Sequence, residues 1–287
     1  MSAPSLPVGA RNTVRLHHTA LILWLTALAA AAGYLIWLRS LSDEARRGAG
    51  GCAVPSQDGL PLCSAVEAIT ADATYREGMA LVSGCLALMM FPAAVWAGAA
   101  VGRELESRTA LLAWTQGQAP ARWLAAKLTV PAVLLAAGTG AVVVLNRWAR
   151  GDADPNLVGD WYFPDVFLAA GPAAVAYALA GLALGALAGL LTGRGLAGAG
   201  VAFAGCLVLH NLVDLFRADL WPTLTHVGAF EPPRSYYQVD WSGDETVLAY
   251  HPQSHFWPLQ YVETGLLLAV AAAATAAAFL LLRRRTA

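Results

Sequence analysis

Six apolar stretches, each about as long as a bilayer is thick, divide this 287-residue chain, and nearly all of its charge lies between them. They run over residues 19–38, 78–101, 124–145, 166–191, 195–216 and 262–282. A helix rising ~1.5 Å per residue needs ~20 residues to cross ~30 Å of hydrocarbon. Only Lys127, Asp214 and Glu263 place a formal charge inside a stretch, each near an end. The expected fold is an all-α integral membrane protein, a single transmembrane domain of six helices over residues 1–287. Its function is then to be sought in transport, signalling or chemistry at a membrane.

Composition agrees. The chain is 57% hydrophobic and 13% charged with mean hydropathy +0.54, against ~25% charged residues in a soluble domain. With the N-terminus inside, the inner segments hold ten of the 18 basic residues but only Glu104 and Glu106 of the 19 acids. Those segments are short, so the basic density is high, as the positive-inside rule requires. Arg283, Arg284 and Arg285 abut the last span and fit a C-terminus on the same side. Both termini are therefore expected in the cytoplasm, with outer loops at 39–77, 146–165 and 217–261. Trp148, Trp161 and Tyr162 are expected at headgroup depth, as an aromatic belt. The first run reaches 20 residues before Arg39, longer than the ~7–15 residues of a signal-peptide core. It reads as an uncleaved span. One lysine stands against 17 arginines, with abundant alanine and glycine, the codon bias of a GC-rich genome; a bacterial plasma membrane is the expected location.

Cys52 and Cys63 share the first outer loop with ten residues between them. In an oxidising exterior they are expected to form a disulfide, worth roughly 3 kcal/mol in the chain-entropy picture. Cys85 and Cys206 lie within spans and read as small packing residues. Gly181, Gly185, Gly189 and Gly193 recur every fourth residue in and after the fourth span. That spacing puts them on one helix face, where another backbone can approach closely.

Candidate sites are few. Gly193-Arg-Gly-Leu-Ala-Gly198 has the dinucleotide spacing G-x-G-x-x-G, but it joins two spans rather than a strand and a helix, so it carries no such meaning. No G-x-x-x-x-G-K-[ST] occurs, and any ATP that drives the chain belongs to another subunit. His210, Asn211 and Asp214 cluster at the outer end of the fifth span, with His210 and Asp214 at i, i+4. Ionisable groups at such depth are functional candidates; a mutual pair, a substrate path and catalysis on lipid or peptide are all open for them. His251 and His255 share the same spacing but lack the glutamate of H-E-x-x-H and flank a proline. No metal site is expected.

The most specific segment is the inner loop from Gly102 to Leu128, GRELESRTALLAWTQGQAPARWLAAKL. Residues 103–114 can form an amphipathic helix with Leu105, Leu112 and Trp114 toward the membrane. Pro120 suits a first helical turn, and Arg122, Trp123 and Lys127 would anchor the third span at the inner headgroups. This loop resembles the ABC-2 type permease family, whose bacterial members read G-R-E-x-E-x-G-T … Q-x-x-x-R-x-R-W-L-x-x-K. Glu104, Glu106, Thr109, Gln116, Arg122, Trp123, Leu124 and Lys127 match in register, while Arg108 replaces the usual glycine and Pro120 a frequent basic residue. The resemblance implies a permease that is not itself an enzyme, paired with a second permease subunit and with ABC ATPase subunits that bind ATP and Mg. This chain would then carry no cofactor, and its partners would include membrane lipid but no nucleic acid. It implies a cytoplasmic coupling helix at about 103–116 between spans two and three, with Glu104, Glu106, Arg108, Thr109 and Gln116 as the contact to the ATPase, and usually export. An integral-membrane enzyme using His210 and Asp214, or a sensory or accessory membrane protein, are the competing readings.

Overall fold

The apolar runs lie mostly in helix, and several helices overrun the limits that composition drew for them. The computed structural model describes residues 18–51, 66–151, 155–228, 235–242 and 247–286. Its helices are α1 (His18–Gly51), α2 (Val66–Ala87), α3 (Met90–Glu106), α4 (Thr109–Thr115), α5 (Pro120–Arg150), α6 (Pro155–Val158), α7 (Pro164–Ala169), α8 (Ala173–Thr192), α9 (Gly195–Phe216) and α10 (Phe256–Thr286). Six segments are long and apolar enough to cross a membrane: Leu21–Ser42, Ala71–Glu106, Pro120–Arg150, Ala173–Thr192, Gly195–Leu220 and Gln253–Thr286. The chain is a multi-pass membrane protein. Cys52 and Cys63, expected to be bridged, lie outside the described residues.

The second span is two helices in series, where one was expected over 78–101. Proline has no N–H, and its ring crowds the carbonyl four residues back. Pro92 therefore cannot bond Leu88; the Leu88 carbonyl accepts from Phe91 instead (3.1 Å), and a turn at Leu88–Met89 separates α2 from α3. The fourth stretch, expected unbroken over 166–191, is interrupted as well. α7 ends at Ala169, a turn follows, and α8 starts at Ala173 after Pro172.

In lipid no water is available to carbonyls freed by such a break, so the protein has to supply donors. Three side chains do so. Gln260 Nε2 donates to the Phe167 carbonyl (2.5 Å), Asn146 Nδ2 to that of Ala169 (3.0 Å), and an Arg147 Nη to that of Ala170 (3.2 Å). Gln260 also accepts the Ala173 N–H through Oε1 (3.2 Å), so one amide bridges both sides of the gap. A Cβ at Gly171 would collide with that amide, which is why the turn carries glycine there.

α8 is the axis of the bundle. It packs on α3, α10, α9 and α5, while α1 lies at the periphery against α2 and α5. Between α8 and α3 the contact is backbone on backbone. A Cβ at Gly181 would strike the Met90 carbonyl, one at Gly185 the Ala94 carbonyl, and one at Gly189 would come within 2.7 Å of the Gly98 carbonyl. On the other side, α3 meets α9 in the same way, Gly98 against Gly198 and Gly102 against Arg194. Gly193, assigned by spacing to the α8 stripe, is not part of it. It adopts φ 62° and ends the helix, its N–H bonding to the Gly189 carbonyl (2.9 Å).

The all-α expectation needs one correction. The segment expected as a loop over 217–261 holds strands: a 3-10 turn (Arg217–Leu220) leads into an antiparallel sheet of β1 (Leu224–Val227), β2 (Tyr237–Ser242) and β3 (Val247–His251), ordered β1-β3-β2. β-branched and aromatic residues supply its strands, and a bulge lies between Gln238 and Asp240. The sheet sits on the end of the bundle where α5 finishes. There Trp161 donates its indole N–H to the Ser235 carbonyl (2.7 Å), and Tyr162 stacks on Tyr237 at 5.3 Å. Trp161 is thus buried against the sheet; of the three residues expected at headgroup depth, only Trp148 is well exposed.

Overpacking a close helix crossing costs about 1–3 kcal/mol or more. Gly185→Leu is expected to abolish the monodisperse detergent-solubilised form, whereas Gly200→Leu, where a Cβ meets nothing within 4 Å, is expected to leave it intact. Fluorescence-detected size exclusion would measure both.

Candidate functional site

The segment 103–119 joins the second and third spans. Expected as an amphipathic helix over 103–114 within a coupling segment at about 103–116, it is instead two helices joined at a corner. α3 continues through Arg103 to Glu106, the chain turns at Ser107–Arg108, and α4 runs from Thr109 to Thr115. The corner is held by short-range bonds: Ser107 Oγ donates to the Arg103 carbonyl (2.8 Å) and Thr109 Oγ1 to the Glu104 carbonyl (3.2 Å). Arg108 stands in the left-handed region at φ 59°. A side chain there costs roughly 1–2 kcal/mol relative to glycine, a physical reason for glycine at this position. α4 closes with a Schellman arrangement in which Gln116 caps, Gly117 takes φ 95°, and the Gln118 N–H reaches the Ala113 carbonyl (3.2 Å). The Gln116 side chain is exposed, as are Arg108, Thr109, Leu111 and Leu112. Of the three residues expected to face the membrane, Leu112 is exposed, while Leu105 and Trp114 are half-buried on the bundle.

Both acids of the segment have partners inside the chain. Glu104 takes the Lys127 ammonium on Oε1 and the Trp123 indole N–H on Oε2 (2.9 Å), and Trp114 packs edge-on against Trp123 at 5.7 Å. Of the three residues expected as anchors, Trp123 and Lys127 are buried against the bundle and Arg122 is exposed. Glu106 Oε2 accepts the Gly195 N–H (2.9 Å), the first residue of α9. A carboxylate at a helix N-terminus satisfies a donor that has no partner within the helix and meets the positive end of its dipole. One short corner is thereby tied to α5 through Glu104 and to α9 through Glu106.

At the other end of the bundle a charged cluster is buried. Arg217 donates through Nε to Glu263 Oε2 (2.9 Å), through Nη2 to Glu263 Oε1 (3.3 Å) and through Nη1 to Asp214 (2.6 Å), with Phe167 under its guanidinium at 4.8 Å. Arg217 is 4% exposed at its side chain and Glu263 0%. The bidentate geometry is the one in which a buried pair recovers most of its desolvation cost. The expected trio of His210, Asn211 and Asp214 does not assemble. Asp214 belongs to Arg217; the His210 ring packs between Phe91 (5.7 Å) and Tyr177 (5.5 Å) with no hydrogen bond at Nδ1; and Asn211 bonds its own helix at Leu207 (2.7 Å) on the exposed face. Nearby, His251 Nδ1 and His255 Nδ1 lie 2.9 Å apart, and His251 Nε2 is 2.9 Å from the Ala218 carbonyl. That carbonyl only accepts, so His251 carries a proton on Nε2, and in the neutral ring Nδ1 is left to accept from His255. The two rings tie β3 to the turn that leads out of α9.

A family model described as ABC-2 membrane transporter related matches residues 25–217, about two thirds of the chain. The chain belongs to that family. No individually curated protein and no solved structure matches it. As an ABC-2 permease family member it is a membrane component of a transporter. The match ends at Arg217, so the sheet and α10 lie beyond it. Residues that sequence spacing missed are those acting across long separations: Gln260, Asn146, Arg217 and Gly198. A charge inside an apolar run was the one signal available, and it flagged Glu263.

Two outcomes are expected in thermal melts of the purified permease. Arg108→Gly should raise the transition, by up to about 1 kcal/mol of relieved backbone strain. Glu263→Leu should lower it sharply, on the order of 3–5 kcal/mol for an orphaned buried charge, and Arg217→Met added to it should restore much of the loss.

Proposed function

We propose that this chain is the membrane-spanning subunit of an ATP-binding-cassette exporter in a bacterial plasma membrane. It pairs with a second permease subunit, and separate ATPase subunits hold ATP and Mg. Its termini lie in the cytoplasm, on the same side as the 107–119 corner. Arg103, Arg108, Arg122, Arg194 and the closing arginines gather on that side, as the positive-inside rule favours.

The observation that carries the reading is the double tether of the corner. ATPase closure would press on the exposed surface of α4, through Arg108, Thr109, Leu111, Leu112 and Gln116. Glu104 and Glu106 then act as transmitters rather than contacts. Displacement of α4 pulls on α5 through the Glu104–Lys127–Trp123 set and on α9 through the Glu106–Gly195 bond. Such a corner couples two helices to one input, and the bias comes from the different affinity of the ATPase states for nucleotide.

Co-expression with a cognate ABC ATPase tests this. Leu112→Asp is expected to abolish co-purification. Glu106→Gln is expected to retain co-purification but to lose most of the coupling between ATP hydrolysis and transport. Retained binding in Leu112→Asp, together with unaltered coupling in Glu106→Gln, would refute the proposal.

A further inference from the structure

Where α5 ends against the sheet, a cavity of about 280 Å³ opens at the end of the bundle opposite the corner. It is lined by Arg147, Arg150, Trp161, Ser235, Phe256 and Trp257, among others. Two cations one helical turn apart at a membrane boundary are unusual enough to need partners. Arg147 spends one Nη on the Ala170 carbonyl (3.2 Å) and lies over the Trp257 ring at 4.8 Å; no carboxylate pairs with it among the described residues. Arg150 is 5% exposed, donates through Nη2 to Ser83 Oγ (2.6 Å), and has a buried Nε with no partner. Asp165 attracts it through space without forming an ion pair. Asp160 is occupied by Ser235 (2.8 Å) and Tyr162 (3.3 Å). The cavity wall therefore carries two guanidinium groups, and among the described residues no carboxylate forms an ion pair with either.

A buried guanidinium with an idle donor is costly unless an anion completes it. Two planar forks that converge on one space suit an acceptor with three or four oxygens better than a carboxylate with two. The volume is at the lower limit for a ligand pocket, enough for a headgroup but not for acyl chains, and the aromatic rim of Trp161, Phe256 and Trp257 is suited to the boundary between headgroup and chain. We propose that this cavity binds the phosphate group of an anionic amphiphile, held by Arg147 and Arg150. The site lies apart from the coupling corner and does not depend on it.

The full-length chain, purified in an uncharged maltoside, would be titrated with dihexanoyl phosphatidylglycerol, with inorganic phosphate and with uncharged dihexanoylglycerol, bound ligand being counted by native mass spectrometry. One saturable phosphatidylglycerol per chain is expected, with none for dihexanoylglycerol, and affinity about tenfold or more weaker in Arg147→Gln and Arg150→Gln. Competition by inorganic phosphate would mark phosphate itself as what is read. Lipid binding without competition would mark a lipid headgroup as the source, and arginine-dependent binding of phosphate alone would mark a soluble one; each supports the site. Arg147 is exposed, so its variant is expected to fold even where Arg150→Gln is not. The proposal is overturned if neither probe binds, or if Arg147→Gln binds like the unsubstituted chain. No ATPase is present in this experiment, so its failure would leave the transport reading standing, and failure of co-purification would leave this one.

Discussion

In hydrocarbon, water exclusion does not push helices together, so a helical bundle must be held by close van der Waals contact and by polar groups that find one another. Here both demands fall on α8. Its three glycines let the α3 backbone approach so closely that no Cβ fits between them, and α3 in turn presents Gly98 and Gly102 to α9. Three helices are thereby packed with little side-chain material between them. Everything placed on them, the coupling corner at one end and the sheet at the other, inherits its position from that contact.

The break between α7 and α8 shows the second demand. Carbonyls released by the turn need donors, and Gln260, Asn146 and Arg147 deliver them from two other helices. The irregular turn therefore fastens α5 and α10 to α8. The Arg217–Glu263–Asp214 set does similar work one level outward, joining the exit of α9 to α10. Polar groups that look like candidate chemistry in a linear reading are mostly the means by which interrupted helices remain tolerable in lipid.

The corner is built differently. Its exposed surface is small, its backbone is strained at Arg108, and its two acids reach different helices. Under the proposed function, such a connection from a short segment to two spans would serve as the lever. In the proposed transporter the same bonds would let acids of this segment affect coupling without touching the partner.

Much was settled by composition and order along the chain. Six spans, their approximate places and the special standing of residues 102–128 follow from apolar length and from local spacing, because a helix crossing lipid satisfies its own backbone and so announces itself one segment at a time. The glycine period also marked a close-packed face correctly, apart from Gly193. What local pattern could not contain was the choice of partner. That Glu104 turns to Lys127, Glu106 to an amide 89 residues away, Asp214 to Arg217 rather than His210, and Trp161 to the Ser235 carbonyl was decided only when α3, α5, α8, α9 and α10 were brought side by side. Hydrogen bonds and ion pairs depend on distances in space, and a sequence specifies those only through the packed bundle.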